Sequence, residues 1–171
     1  MKKYEGPGCP EGKILPRDGG YTVQFERLLP HPPEKVWGAL TVTENLALWL
    51  GEMEIDLRQG GRIRIRFPHS QDEVLGEITA LVPGALLEYD WESRETRASL
   101  VRWELTQQEG DHCRLLLRHT AAGAVKPSLC SGWHVHLGLL ADMLEEVPDL
   151  FRWPGEAWEE WDRYYAQKLA G

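Results

Sequence analysis

The sequence predicts an α+β fold in which a curved antiparallel sheet wraps around one long C-terminal helix. Three observations predict it. Period-two segments typical of strands fill most of residues 21–120, two short helical segments follow the first strand, and one longer amphipathic segment covers residues 129–146. A single long helix after a run of strands needs a sheet to cover its apolar face. The predicted element order is therefore β-α-α-β6-α, followed by an extra C-terminal helix.

The first strand and the two short helices open this order. Residues Tyr21–Leu29 show the alternation of a strand. Pro33 followed by Glu34 suits the first turn of a helix, because proline is tolerated there and a carboxylate meets the positive helix end. Thr43 is predicted to cap a second short helix, and Gly51 is predicted to end it.

Six further segments show strand alternation and are separated by turn residues. They are residues 53–57, 62–67, 73–81, 87–91, 101–105 and 113–119. The clearest is 62–67, where Ile63, Ile65 and Phe67 alternate with arginines. This pattern indicates a sheet with one face buried and the other in solvent.

The long helix is predicted over Leu129–Glu146 with one wide apolar face. The apolar face contains Trp133, Leu137, Leu140 and Leu144, and the opposite face contains His134, Gly138, Asp142 and Glu145. Ser128 or Ser131 is predicted to cap the start of this helix, and Pro148 to limit its end.

Three segments follow from this organisation. Residues 1–20 are rich in glycine and proline and are predicted to form an extended N-terminal arm, and residues 21–147 form the predicted domain. Residues 148–171 form a predicted amphipathic helical extension, whose apolar stripe is Trp158, Trp161, Tyr165 and Leu169. We expect this stripe to pack on its own domain near the mouth of a cavity; a homodimer contact is the alternative.

Composition excludes several classes of function. The net charge of −8 and the pI of about 5.3 argue against binding to nucleic acid or to an anionic membrane surface, because both need a basic face. No apolar run approaches the roughly 20 residues that span a bilayer, and the N-terminus lacks the apolar core of a signal peptide. Cys9, Cys113 and Cys130 are scattered and odd in number, which favours a cytoplasmic location.

Motifs for cofactors and metals are also missing from the sequence. There is no CxxC or HExxH spacing for a metal, no GxGxxG or Walker-type loop for a nucleotide, and no GxSxG elbow for a serine hydrolase. Gly60-Gly61 is interpreted as a hairpin turn. We therefore expect no metal and no cofactor.

Several short motifs together resemble a known family. They are Arg27 ahead of 32–37 (PPEKVW), 43–46 (TENL) before Trp49, Gly60-Gly61, 76–78 (GEI) before Val82-Pro83, 87–91, 103–105 (WEL), 115–120, and Gly132-Trp133 ahead of Leu137 and Leu140. In this order they resemble the helix-grip fold of the START and birch-pollen-allergen superfamily, also called SRPBCC. More narrowly, the chain resembles the family named after the C-terminal domain of the activator of the heat-shock chaperone ATPase, over about residues 21–146.

This resemblance implies a cavity between the bent sheet and the helix. The candidate ligand-binding residues, which are inward by strand parity or on the apolar helix face, are Phe25, Arg27, Tyr89, Trp91, Trp103, His119, Trp133, His136 and Leu140. For any single ring, core packing is the alternative interpretation. Arg27 would pair with a carboxylate or with an anionic ligand group, unless the end of its strand curls toward solvent and leaves it exposed. His119 and His136 would orient a ligand or act as general base if they face each other.

Three functions from different classes fit the sequence. The first is a non-enzymatic protein that binds a small apolar or aromatic ligand. The second is an enzyme of the polyketide cyclase or aromatase kind, which needs an acid–base pair in the cavity. The third, which only the resemblance suggests, is a chaperone-associated protein-binding module. We expect the first of these, because the predicted lining is mostly aromatic.

Overall fold

The computed structural model of the protein describes residues 11–94, 96–146 and 153–171. The helices and strands of these residues are, in chain order, β1 (Lys13–Arg17), β2 (Gly20–Leu29), α1 (Pro33–Thr41), α2 (Thr43–Leu46), β3 (Glu52–Ile55), β4 (Arg62–Arg66), β5 (Glu73–Val82), β6 (Leu86–Ser93), β7 (Arg97–Gln108), β8 (His112–Ala122), α3 (Pro127–Leu144) and α4 (Gly155–Ala170). The predicted order of elements from β2 to α4 is confirmed.

The eight strands form one curved sheet in the order β1-β2-β8-β7-β6-β5-β4-β3. Every neighbouring pair is antiparallel. The sheet wraps around α3, and the side chains between them form the core. The predicted α+β helix-grip fold class is therefore confirmed.

The sheet has one strand more than the sequence predicts. The additional strand is β1, which lies inside the segment predicted as the N-terminal arm and pairs with β2 from Lys13 to Arg17. Most of its side chains are exposed, so it shows no apolar alternation. It also contains Pro16, which lacks a backbone donor and is tolerated because β1 is an edge strand.

The start of α3 differs from the prediction. The helix begins at Pro127, with Lys126 as the N-cap residue and no side-chain cap, so the predicted serine cap is wrong. Ser131 lies inside the helix, where its single hydroxyl proton has two acceptors within reach, the Pro127 carbonyl at 2.9 Å and Asp162 on α4 at 3.0 Å. The predicted Thr43 cap is also wrong, because Val42 occupies that position without a side-chain hydrogen bond. Pro148 lies outside the described residues.

Helix α4 packs against α3 and buries part of the α3 face that lies opposite its apolar face. Trp161 and Tyr165 are buried between the two helices. Both rings contact the imidazole of His134. His134 and Gly138, which the sequence predicted on the outward face of α3, are buried in the folded protein. Only the C-terminal part of that face, at Glu145, remains exposed. The long helix is therefore buried on two sides rather than one.

The hydroxyl of Tyr165 joins three distant parts of the chain. It accepts the backbone N–H of Gly12 at 2.9 Å and hydrogen-bonds to Nδ1 of His134 at 2.8 Å. Beside it, the hydroxyl of Tyr164 donates to the carboxylate of Glu11. The segment before β1, the middle of α3 and the end of α4 thus meet at one point.

None of the helices in the described ranges is long and apolar enough to cross a membrane.

Candidate functional site

A half-open pocket of about 600 Å³ lies between the N-terminal half of α3, the C-terminal end of β6 and the beginning of the α4 region. The loop between β4 and β5 forms its remaining side. The rings that line the pocket are Phe67, His69, Trp91, Trp133, His136, Trp153 and Trp158. Val74, Leu129 and Gly132 add apolar surface. The pocket is therefore mostly apolar and strongly aromatic.

The inner wall is a row of rings from β6, α3 and the residue that directly follows β4. The ring centroids of Trp91 on β6 and Trp133 on α3 are 5.1 Å apart, and those of Phe67 and Trp91 are 6.0 Å apart. Their tilted arrangement is typical of favourable aromatic pairs. Trp91 and Trp133 are almost fully buried, so they present only a small part of their surface to the pocket.

Two histidines and a tryptophan form the side of the pocket nearest α4. The imidazole of His69 stacks on Trp153, with centroids 3.9 Å apart and ring planes within 4° of parallel. The same tryptophan contacts His136 at a centroid distance of 4.9 Å. Partial burial lowers the pKa of His69, against a smaller opposing effect of Asp72. His69 is therefore held next to the pocket mainly as a neutral ring.

His136 is the polar group best placed to receive a ligand. Its Nδ1 lies 2.9 Å from the backbone carbonyl of Trp49, which can only accept, so Nδ1 carries the proton. Burial lowers the pKa of His136 to about 4, and the ring is neutral at pH 7. Its Nε2 atom then carries a lone pair and no proton. Because the ring lines the pocket, we expect Nε2 to accept a hydrogen bond from a ligand N–H or O–H group.

His119 points into the core and is fully committed to structural hydrogen bonds. The indole N–H of Trp133 donates to its Nδ1 at 2.9 Å, which places the ring proton on Nε2. Nε2 then donates to the Ser99 hydroxyl at 2.8 Å, and that hydroxyl donates to the Trp91 carbonyl at 2.6 Å. Burial lowers the pKa of His119 to about 3. The chain of hydrogen bonds fixes a neutral ring outside the pocket.

Three of the nine candidate residues line the pocket, namely Trp91, Trp133 and His136. The other six lie outside its lining and are buried in the core: Phe25, Arg27, Tyr89, Trp103, His119 and Leu140. Strand parity correctly predicts that the five of them on strands point inward, but their side chains are packed in the core. The indole N–H of Trp103, for example, donates to the Tyr89 hydroxyl at 3.0 Å.

Arg27 lies on the opposite side of α3 from the pocket, close to the α4 contact. Its guanidinium carbon is 5.5 Å from the centroid of the Phe25 ring, and Nη1 donates to the carbonyl of Glu26 at 2.8 Å. Burial is the main cause of the lowered pKa of His134, and the Arg27 charge lowers it further. The structure therefore separates Arg27 from His136, and the two do not form one site.

Several lining residues were not identified by the sequence interpretation. His69 and Trp153 lie outside helices and strands, where periodicity carries no information. Arg94 directly follows strand β6, and Lys126 directly precedes helix α3. The available signal was Trp158, which the sequence placed in a stripe expected near the cavity mouth, and which does line the pocket.

No group of three or more potential metal ligands occurs in the described parts of the chain. Cys113 and Cys130 are buried and form no disulfide bond within the described residues, and burial raises the pKa of Cys113 to about 11. Cys9 lies outside the described residues.

The buried histidines predict a loss of stability in mild acid. Burial lowers the pKa of His119 and His134 to about 3 and that of His136 to about 4, whereas an unfolded histidine titrates near 6.5. Below pH 6.5 the unfolded chain therefore binds more protons than the folded one. The free energy of unfolding should be highest above that pH. It should fall by roughly 2 kcal/mol per histidine between pH 7 and pH 5. Urea unfolding at pH 7, 6 and 5 measures this loss.

Two variants test whether the loss arises from these rings. His119→Gln should reduce the dependence of the free energy of unfolding on pH, because one titrating group is removed. His112→Gln should leave it unchanged, because the His112 side chain is exposed in the folded protein. A free energy of unfolding that stays constant from pH 7 to pH 5 in the unmodified protein would contradict the prediction.

The fold and the pocket define the class of protein: a helix-grip domain with an aromatic cavity beside its long helix. A family model described as "Activator of Hsp90 ATPase homolog 1-like protein" matches residues 30–145. The chain belongs to this family, which confirms the resemblance inferred from the motifs. No curated protein matches the sequence at a significant level.

Solved structures with the same fold include two from bacteria that align over nearly the whole chain. CalU16 from Micromonospora echinospora is 20% identical, with 94% of this chain and 96% of that chain covered and a TM-score of 0.72. EF2215 from Enterococcus faecalis is 19% identical, with 93% and 90% covered and a TM-score of 0.77. At these identities the similarity shows the fold alone.

A third structure, DynU16, is described as a protein in the dynemicin biosynthetic locus. It is 25% identical, with a TM-score of 0.66, and the alignment covers 75% of this chain and 48% of that one. The present chain thus spans about half the length of DynU16.

Proposed function

We propose that the protein binds a small, largely aromatic molecule in the pocket beside α3 and releases it unchanged. The observation that carries this proposal is the pocket itself: about 600 Å³ of space lined by the rings of Trp91, Trp133, Trp153 and Trp158. Pockets for small molecules usually enclose about 300–1,000 Å³ and bury most of the ligand. The flat indole faces favour a flat, largely apolar ligand.

His136 supports a further property of the ligand. Because its Nδ1 proton is held by the Trp49 carbonyl, the atom available in the pocket is an unprotonated Nε2. A ligand with an N–H or O–H group could donate to this atom. This hydrogen bond would orient the ligand in a pocket that otherwise recognises only its shape and its apolar surface.

The geometry favours binding over catalysis. The enzymatic alternative, a polyketide cyclase or aromatase, needs an acid–base pair in the cavity, for which His119, His136 and Arg27 are the only candidates. Arg27 lies outside the pocket lining, and His119 donates to Ser99 and accepts from Trp133 in the core. His136, with its pKa lowered to about 4, is a weak base at neutral pH. Association with a chaperone stays a prediction from the family resemblance.

A neutral aromatic probe tests the proposal directly. 2-Naphthamide is flat, uncharged and carries N–H donors for His136. We expect it to quench the tryptophan fluorescence of the protein and to bind with a dissociation constant of the order of tens of micromolar. It should also raise the melting temperature, because it binds the folded state only.

Decalin carboxamide, which has a similar size but no aromatic ring, is the matched control and should bind more weakly. If 2-naphthamide neither quenches the fluorescence nor raises the melting temperature at millimolar concentration, the pocket does not bind aromatic ligands and the proposal falls.

A further inference from the structure

Two tryptophans of the pocket wall are joined by one series of buried hydrogen bonds. The indole N–H of Trp133 donates to Nδ1 of His119 at 2.9 Å, and Nε2 of His119 donates to the Ser99 hydroxyl at 2.8 Å. That hydroxyl donates to the backbone carbonyl of Trp91 at 2.6 Å. The series therefore begins at the side chain of one lining tryptophan, on α3, and ends at the backbone of the other, on β6.

The imidazole of His119 also packs against both of these indoles. Its centroid is 5.5 Å from that of Trp91, with 63° between the ring planes, and 6.0 Å from that of Trp133, with 71° between the planes. Such edge-to-face contacts are favourable and depend on orientation. His119 itself is fully buried and lies outside the pocket lining. It can therefore influence a bound ligand only through the rings that it contacts.

The orientation of the Trp133 indole depends on the acceptor that His119 provides. A buried indole N–H without a partner is costly, because it has lost its hydrogen bonds to water. Nδ1 of His119 can accept only while it carries no proton, and Ser99 supports this by accepting the ring proton held on Nε2. Rotating the indole would break the hydrogen bond to His119. Trp133 is 3% exposed, so even a small rotation would change the surface that it presents to the pocket.

We propose that His119 is a positioning residue of the pocket, which holds the Trp133 indole against Trp91 in the orientation that receives an aromatic ligand. The two indoles are 5.1 Å apart and tilted by 52° in this arrangement. A side chain that is ordered before the ligand arrives loses little freedom on binding, and the affinity is higher for that reason. The inference rests on the proposed function, since it concerns the affinity of the same pocket.

Replacing His119 with leucine removes the acceptor and keeps a buried side chain of similar size. We expect the dissociation constant of 2-naphthamide to rise roughly fivefold, because the ligand must then order the Trp133 ring itself. His119→Gln should keep the dissociation constant within about twofold of the unmodified value, since a glutamine amide offers an acceptor for Trp133 and a donor for Ser99. Calorimetric titration measures the affinity of each variant.

Tyr89→Phe is the matched control for the loss of a buried hydrogen bond. It removes the hydroxyl that accepts the indole N–H of Trp103 at 3.0 Å, and both residues are almost fully buried outside the pocket lining. Tyr89→Phe should lower the free energy of unfolding, as His119→Leu does, and leave the affinity for 2-naphthamide unchanged. Urea unfolding and calorimetry of the two variants separate destabilisation of the fold from loss of affinity.

Nuclear magnetic resonance reports the Trp133 hydrogen bond without a ligand. The indole N–H resonance that is missing from the spectrum of Trp133→Phe identifies this residue among the eight tryptophans. A hydrogen bond to an imidazole nitrogen should shift that proton downfield in the unmodified protein, and the shift should be lost in His119→Leu. Ser99→Ala, a milder change, should weaken 2-naphthamide binding about twofold, because it removes the acceptor that fixes the His119 ring.

The outcomes distinguish the inference from the proposed function. If 2-naphthamide does not bind the unmodified protein, the proposed function is wrong and the inference falls with it. If 2-naphthamide binds but His119→Leu keeps the full affinity, or Tyr89→Phe loses as much affinity as His119→Leu, only the inference is overturned. Should His119→Leu not fold, full affinity in Ser99→Ala, or an unshifted Trp133 indole proton in the unmodified protein, overturns it instead.

Discussion

Replacing Gly132 with leucine is expected to block the pocket while the protein remains folded. Gly132 is a helical residue of α3 that lines the pocket, and a Cβ atom added to it would meet nothing within 4 Å. A leucine side chain would therefore occupy space that a ligand needs. If moving the leucine side chain out of the way of the ligand costs about 2 kcal/mol, the affinity for 2-naphthamide falls roughly thirtyfold.

Gly132→Ala is the matched control for this variant. Both substitutions remove a glycine from the interior of a helix and should increase the free energy of unfolding by up to about 1 kcal/mol. Only leucine fills much of the pocket. Fluorescence titration and urea unfolding of both variants separate the two effects. An unchanged affinity in Gly132→Leu would place the binding site elsewhere on the protein.

The second large effect is expected for Trp161→Ala, which should destabilise the protein by about 3–5 kcal/mol. The Trp161 ring is 6% exposed and stacks on His134 with centroids 3.5 Å apart, so its loss leaves a cavity between α3 and α4. A typical domain is stable by only about 5–15 kcal/mol. Urea or thermal unfolding should therefore show a large shift of the midpoint.

Two further variants in α4 provide the controls. Trp158 is only partly buried and lines the pocket, so Trp158→Ala should cost about 1–2 kcal/mol of stability but weaken ligand binding. Trp161→Phe keeps an aromatic ring and removes an indole N–H that is buried without a hydrogen-bond partner in the described chain, so it should cost less than alanine. Equal losses for alanine at 158 and 161 would contradict the structure.

The strands and the long helix could be predicted from the sequence because their periods are strong. Ile63 and Ile65 alternate with arginines, and both are buried in β4 as the alternation requires. β1 could not be predicted in this way, because an exposed edge strand has no buried face and Pro16 argues against a strand. Its partner, β2, supplies the hydrogen bonds that define it.

The location of the pocket could be predicted only in part. The spacing along α3 indicates that Trp133 and His136 face the sheet, but the spacing is the same whether the space in front of them is empty or filled. Tyr89 and Trp103 have the inward parity of a lining residue and fill the core instead. His69 could not be related to the site, because only the folded chain stacks it on Trp153.

The burial of His134, on the other side of α3, also could not be predicted from the sequence. By spacing it belongs to the polar face, and a lone helix would leave it in solvent. Its burial depends on α4, which the sequence predicts as an amphipathic helix without specifying which surface receives it. Contacts between elements far apart in sequence are set by the shapes of both partners, and periodicity within one element does not encode them.

The hydrogen bonds of the Tyr165 hydroxyl have a consequence for cooperativity. Because this one group is bonded to both Gly12 and His134, neither terminal segment can detach without breaking a buried bond that also anchors the middle of the molecule. We therefore expect β1 and α4 to unfold together with the core rather than to fray independently.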